Sequence, residues 1–273
     1  MNALKKNCRN WARKLSARRN TMKRDHLTQH LNTLLRIKEF SDYCPNGLQV
    51  EGSREIKRII TGVTACQALI DAAIEQQADT IIVHHGYFWK GEAAEITGMK
   101  KQRLKTLLEN DINLFAYHLP LDAHPSLGNN VQFGTALTIC NIETIDLGLG
   151  PGIGLQGIFS EAKTAKNLAE MLEQTLQHTP LHISAADSRS IRRIAWCTGS
   201  AERGIEAAAL AGCDAYISGE ISEQTVHIAR EMNLHYFAAG HHATERFGVQ
   251  ALAKHLNAEF SLSSDFIDIP NPV

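Results

Sequence analysis

Sliding the chain along itself exposes the feature that most restricts its fold. At a shift of 135 residues, Arg58-Ile59 falls on Arg193-Ile194, Ile70 on Ile205, Ala72-Ala73 on Ala207-Ala208, Asp79 on Asp214 and Ile82 on Ile217, without a gap. Phe115-Ala116 falls on Phe237-Ala238 at a shift of 122. The hydrophobic pattern repeats with the letters. Residues 58–61 read as a buried strand, 67–77 as a helix, 80–83 as the next strand, 101–109 as a second helix and 113–117 as a further strand. Such alternation predicts a mainly parallel sheet covered by helices. The repeat therefore predicts an α/β protein made by internal duplication, with one half over 22–140, a related half over 191–273 and a connecting segment over 141–190.

Ahead of the first strand, Leu27, Leu31, Leu34, Leu35 and Ile37 have helical spacing over 27–40, and Ser41-Asp42-Tyr43-Cys44-Pro45-Asn46-Gly47 is a turn cluster before a short strand at 48–51. Within the connecting segment, 146–157 is glycine-rich, 162–176 is an amphipathic helix with Ser160 as its expected N-cap, and 181–190 reads as a strand and turn. Gly152-x-Gly154-x-x-Gly157 matches a dinucleotide fingerprint by letter only. That fingerprint needs a strand leading in and a helix opening at its last glycine, whereas Ile158-Phe159 follows here, so the segment reads as a loop.

Charge and composition exclude several classes. Nine of the 28 Lys and Arg residues fall within the first 24 positions, which carry no acid, and the rest of the chain is strongly acidic. An acidic body lacks the Lys and Arg that displace counterions from phosphates, so duplex nucleic acid is not expected as an obligate partner. Residues 1–21 lack the apolar stretch of a secretory signal and read as a basic, disordered leader. No apolar run reaches the ~20 residues of a membrane span. The six cysteines form no Cys-x-x-Cys pair, which fits a reducing, cytoplasmic setting.

Ligands of parallel α/β sheets gather beyond the carboxyl ends of the strands, and polar clusters stand at three such ends. Val83 runs into His84-His85-Gly86, Tyr117 into His118-Leu119-Pro120-Leu121-Asp122-Ala123-His124, and Ala239 into Gly240-His241-His242-Ala243-Thr244-Glu245. Imidazoles and carboxylates together suit zinc, iron, manganese or nickel. His241 and Glu245, four apart at a helix start, project from one face. His84 and His85, adjacent at a strand end, point apart, which suggests one for each of two metals. Five ligands, His84, His85, Asp122, His241 and Glu245, with a carboxylate shared, leave positions open for water or substrate. Singly, each cluster also suits a hydrogen-bonded His pair or an ordinary i,i+4 contact.

Four motifs in order, 41–52, Val-His-His-Gly-Tyr-Phe-Trp at 83–89, His-Leu-Pro-Leu-Asp-Ala-His-Pro at 118–125 and Gly-His-His-Ala-Thr-Glu at 240–245, closely resemble the YbgI-type family, part of which is designated type 2 GTP cyclohydrolase I. The resemblance runs from Met22 to Val273 and includes Phe-Ile-Asp-Ile-Pro-Asn-Pro at 266–272. It implies a dinuclear metal centre between duplicated α/β halves, the same five ligands, and a toroidal homohexamer. The implied activity is hydrolysis of a purine nucleotide. With GTP, water would attack C8 of the guanine ring, and the ring would open with loss of formate. Hydrolysis of damaged nucleotides, linked to DNA damage, is a related expectation. His118 or His124 would shuttle protons. Glu220, which the repeat places opposite His85, is a further catalytic candidate. Lys100, Lys101, Arg103, Lys105 and Arg246 are candidates for phosphate contact. The rival from another class is a non-catalytic, ring-forming metal-binding adaptor.

Overall fold

The β-branched runs read from the sequence are strands, and they divide between two sheets. The computed structural model describes residues 21–185 and 189–273. The basic leader lies outside those residues, apart from its last position.

The chain begins with β1 (Met22–Lys23) and helix α1 (Arg24–Leu34), followed by β2 (Gly47–Val50) and β3 (Glu55–Ile56). A regular βαβαβ run comes next: β4 (Arg58–Thr64), α2 (Gln67–Glu75), β5 (Thr80–His85), α3 (Gly98–Glu109) and β6 (Asn113–Ala116). Short helices α4 (Leu119–Ala123) and α5 (Asn129–Ala136) lead to β7 (Cys140–Thr144), β8 (Leu155–Lys163), α6 (Ala165–Leu176) and β9 (Leu181–Ile183). A second βαβαβ run is β10 (Ile191–Cys197), α7 (Ile205–Leu210), β11 (Ala215–Ser218), α8 (Glu223–Glu231) and β12 (His235–Ala238). Helices α9 (His241–Thr244) and α10 (Arg246–Phe260) and strand β13 (Ser263–Phe266) close the chain.

The sheet orders are β13-β4-β5-β6-β2 and β7-β8-β10-β11-β12-β9, beside the small β1-β3 pair. Each large sheet is mixed: β13, β4, β5 and β6 run parallel in one with β2 antiparallel at its edge, and β10, β11 and β12 run parallel in the other between antiparallel β8 and β9. The fold is thus mixed α/β, with sheets flanked by helices.

The repeated aspartates have matching work. Asp79 Oδ2 accepts the backbone N–H groups of Lys57 (2.8 Å) and Arg58 (3.4 Å) at the start of β4, and Asp214 Oδ2 accepts those of Arg192 and Arg193 (2.9 Å each) in β10. Each carboxylate satisfies strand donors that would otherwise lose hydrogen bonds on burial.

Several local expectations differ. The helix expected over 27–40 breaks after Leu34, because Arg36 takes a left-handed conformation (φ 49°) before a single 3-10 turn, Ile37–Glu39. Ser160 lies inside β8, and the cap of α6 is Thr164, whose side chain accepts the N–H of Asn167 at 3.1 Å. Gly157 is an interior strand residue with no helix opening behind it, so the dinucleotide fingerprint has no structural counterpart. The tail does not stay with the second run. β13 pairs in parallel with β4, and Val249, Leu252 and Leu256 of α10 join the core of the first sheet with Ile59, Ile82 and Phe115. Among the described residues, no helix is long and apolar enough to cross a membrane, and Cys44, Cys66, Cys140, Cys197 and Cys213 are free.

Candidate metal centre

Strand β5 carries its apolar side chains into the core and ends on two histidines whose alternation sends them different ways. His84 is fully buried. Its Nδ1 lies 3.0 Å from the carbonyl oxygen of Tyr117, to which an Nδ1–H donates, leaving Nε2 bare toward the site. His84 Nε2 stands 3.5 Å from Asp122 Oδ1 and 3.5 Å from Glu245 Oε1. His85 Nε2 stands 3.1 Å from Glu245 Oε2, the oxygen that also lies 3.1 Å from His241 Nε2.

Two groups of donors share Glu245, His84–Asp122–Glu245 and His85–His241–Glu245, each with its ligand atoms within 4.8 Å of one another, and His84 and His85 also form a group with His118. The five residues expected from sequence therefore converge, although α4, the end of β5 and the α9–α10 junction supply them from distant parts of the chain.

The donors approach one another without bonding well to one another. His84 Nε2 and Glu245 Oε2 are buried and have no aligned hydrogen-bond partner, despite the short separations around them. A buried polar atom without a partner costs about 1–3 kcal/mol. Nitrogens and carboxylate oxygens converging on a common space, with no bond to each other, suit a cation. The electrostatics agree. Burial opposes charge on His84, yet Asp122 and Glu245 outweigh it and push the imidazole up to about 10. Burial likewise opposes charge on His241, which Glu245 and Glu220 nevertheless push up to about 9. Burial alone would raise Glu245, but the imidazoles of His85 and His84 hold it well below the carboxylate range. Burial drives His85 down to about 3 and Asp122 upward. Such a pocket is short of positive charge.

Supporting bonds orient these groups, as is usual for metal ligands. Glu220 Oε1 lies 2.6 Å from His241 Nδ1, so it fixes the ring from behind, and its carboxylate is a positioning group for a donor. Asp122 Oδ1 accepts from Asn129 Nδ2 at 2.9 Å, while Asn129 Oδ1 accepts the N–H of Gly248 at 2.6 Å, tying Asp122 to α10. Gly199, at φ +69°, passes so close to Glu245 that a Cβ there would overlap Oε1. Asp268 holds the segment from outside: Oδ1 lies 2.7 Å from His242 Nε2 and Oδ2 accepts from the Arg246 guanidinium at 2.8 Å, the residues immediately after His241 and Glu245.

A cavity of about 540 Å³ opens over the donors, lined in part by His85, His118, Asp122, His241 and Glu245. His118 Nδ1 lies 2.7 Å from Asp42 Oδ1, an arrangement that fixes the ring and leaves Nε2 for the cavity. Asp42 Oδ2 accepts the Leu119 N–H (3.0 Å) and Asn46 Nδ2 (2.8 Å). Cys44 completes a further donor group with Asp42 and His118, but burial pushes its thiol up to about 12, so it stays protonated. His124 does not join the site. It borders a different cavity, and its Nδ1 accepts the N–H groups of Leu127 (3.0 Å) and Ser126 (3.2 Å) in the turn beyond α4. The proton-transfer role expected of His124 would act apart from these donor groups.

Sequence reasoning passed over Asp42, Asn129 and Gly199. Asp42 lay inside a cluster that reads as turn chemistry, and Gly199 follows the end of β10, where the repeat offered a fourth strand end to inspect. Asn129 carries no local signal.

Residues 22–272 match the Duf34/NIF3 (NGG1p interacting factor 3) family. The chain belongs to that family. Its Duf34/NIF3 relatives include the "GTP cyclohydrolase 1 type 2 homolog" of Yersinia pestis, 53% identical over 251 residues that cover 92% of this chain and all of the relative. The protein of the same name from Vibrio cholerae is 52% identical over 247 residues, 89% of this chain and 96% of the relative. Among solved structures, a protein ybgI described as of unknown function superposes with a TM-score of 0.88 at 50% identity, covering 92% of this chain and 100% of the other. A protein from Thermus thermophilus gives 0.82 at 34% identity, with the same coverage.

Proposed function

We propose that this Duf34/NIF3 chain is a dinuclear metal-dependent hydrolase acting on a purine ring, with GTP, from the name its relatives carry, as the first substrate to test. The observation that carries this reading is the position of Glu245, one buried carboxylate shared by a buried and a partly buried group of donors at an open cavity. His84, Asp122 and Glu245 would hold one divalent cation, and His85, His241 and Glu245 the other, whether zinc, iron, manganese or nickel. When bound, such a pair supplies Lewis acidity and lowers the pKa of water.

The chain's own residues do the rest. Glu220 fixes the His241 ring, and Asn129 fixes Asp122. Asp42 orients His118 so that Nε2 can pass a proton to or from a ring nitrogen in the cavity. Hydrolysis of damaged purines, linked to DNA damage, would use the same groups. The open cavity favours chemistry over the adaptor reading, since a purely structural site is closed by its protein ligands.

An internal duplication is supported by the paired bonds of Asp79 and Asp214. A toroidal homohexamer in the cytoplasm completes the reading, and exposed Phe88, Ile96 and Met99 offer apolar surface for self-association. The test of the activity is formate release from GTP by metal-loaded protein beside His241→Ala. Equal release from both, or none from either, removes the cyclohydrolase proposal.

A further inference from the structure

The lining of the cavity divides by chemistry. The donors His85, Asp122, His241 and Glu245 share its lining with the aromatic side chains of Tyr43, Trp89 and His118, and Leu149 and Ile153 add apolar surface. None of the described lining residues is Lys or Arg. The basic residues that sequence offered for phosphate contact are absent from this lining, and two of them are committed elsewhere. Arg246 is held by Asp268 and the Leu176 carbonyl, and Lys100 by Glu92 and the Ala93 carbonyl.

The aromatic rings are placed in advance. Trp89 donates its Nε1–H to the Gly86 carbonyl at 3.2 Å, and its backbone N–H to Glu92 at 3.0 Å. Its ring centroid lies 5.0 Å from that of His118, edge to face, and 5.9 Å from that of His85. Tyr43 lies 6.3 Å from His118 and is 60% exposed, an aromatic face that the core does not use. A flat ring against these side chains would lie in the same cavity as the donors.

We infer that this cavity takes its substrate by a planar heteroaromatic base stacked against Tyr43 and Trp89, and that its described walls offer a polyphosphate tail no Lys or Arg. The inference rests on the purine reading above and narrows it. Proteins meet phosphate chains with Lys, Arg, backbone N–H groups at helix N-termini or bound divalent cations. Two divalent cations against the carboxylates of Asp122 and Glu245 would keep about two positive charges, so a tail would be met by the metals and not by the walls. Stacking needs only a π-face, and each wall ring has one. A volume of about 540 Å³ accommodates a bicyclic base with a ribose.

The experiment is calorimetric titration of the metal-loaded full chain with guanosine, GTP and inorganic triphosphate, with metal content measured in every sample. Guanosine and GTP are both expected to bind, and any heat from triphosphate alone is expected to be unchanged in the wall variants. Trp89→Leu and Tyr43→Ala are each expected to weaken guanosine about tenfold or more while both metals stay bound. Unchanged guanosine affinity in both variants, or a loss of triphosphate binding equal to the loss of guanosine binding, overturns the inference and leaves the purine reading standing. Absence of binding by guanosine and GTP alike, with the metals in place, overturns both.

Discussion

Replacing Glu245 by Gln should cost the protein both of its metal ions, whereas replacing Asp122 or His241 should cost one. The difference follows from atoms. Oε1 of Glu245 stands 3.5 Å from His84 Nε2, and Oε2 stands 3.1 Å from the Nε2 atoms of His85 and His241. Asp122 approaches only the His84 side, and His241 only the His85 side. Disturbing a residue that merely orients a ligand weakens metal binding by about 10–100-fold, so loss of a ligand should exceed about 100-fold at each ion it touches. In free energy that is about 2.7 kcal/mol per ion, doubled for Glu245 alone. Elemental analysis after dialysis against trace metal reads the outcome directly. Wild type should retain two ions per chain, Asp122→Asn and His241→Ala about one, and Glu245→Gln none. Thermal unfolding of the metal-free proteins controls for folding. A Glu245→Gln protein that keeps as many ions as the other two variants would refute the shared-carboxylate argument.

Three further outcomes are expected. Gly199→Ala should strain a left-handed backbone by about 1–2 kcal/mol and push Glu245 aside, lowering the melting temperature by a few degrees and emptying both metal positions, as metal analysis and calorimetry would record. Asp268→Asn should release ions to a chelator faster than wild type, with little change in the melting temperature of the metal-free protein, because it loosens only the segment bearing His241 and Glu245. Asp42 is buried, which by itself raises its pKa, but hydrogen bonds from His118 and Asn46 hold the carboxyl down at about 2, below its ordinary 3.8. A depressed carboxyl stabilises the fold above its unfolded pKa and loses that contribution as pH falls toward the folded one, so the loss lies between about pH 4 and pH 2. The contribution is at most about 2 kcal/mol, and acid unfolding of Asp42→Asn should be flatter across that window.

The five donors were legible because each sits at or a few residues beyond a strand end, and strand ends follow from local hydrophobic runs such as Ile81-Ile82-Val83 ahead of His84. Alternation along β5 led to the expectation that His84 and His85 point apart, and their Nε2 atoms approach different oxygens of Glu245. Less local features were hidden. The pairing of β13 with β4 is a long-range contact that no periodicity reports. Ser160 was a reasonable cap by letter, but β8 runs on to Lys163 and leaves Thr164 to start the helix. The bond from Asp42 to His118 joins a turn to a strand end, and a turn residue that also serves a site looks like any other turn residue. His124 carried the right chemistry beside the right motif, yet the turn beyond α4 uses its nitrogen to satisfy backbone donors.

The return of β13 to the edge of β4 bears on the order in which the molecule can be built. Arg58 finds its parallel neighbour only when Ser263 arrives, and Glu245 arrives shortly before it. During synthesis the amino-terminal sheet must therefore wait with one edge unpaired while nearly all of the chain is made, and His84 waits with it. A nascent polypeptide stalled short of Glu245 would present the imidazoles of His84 and His85 without the carboxylate that both approach.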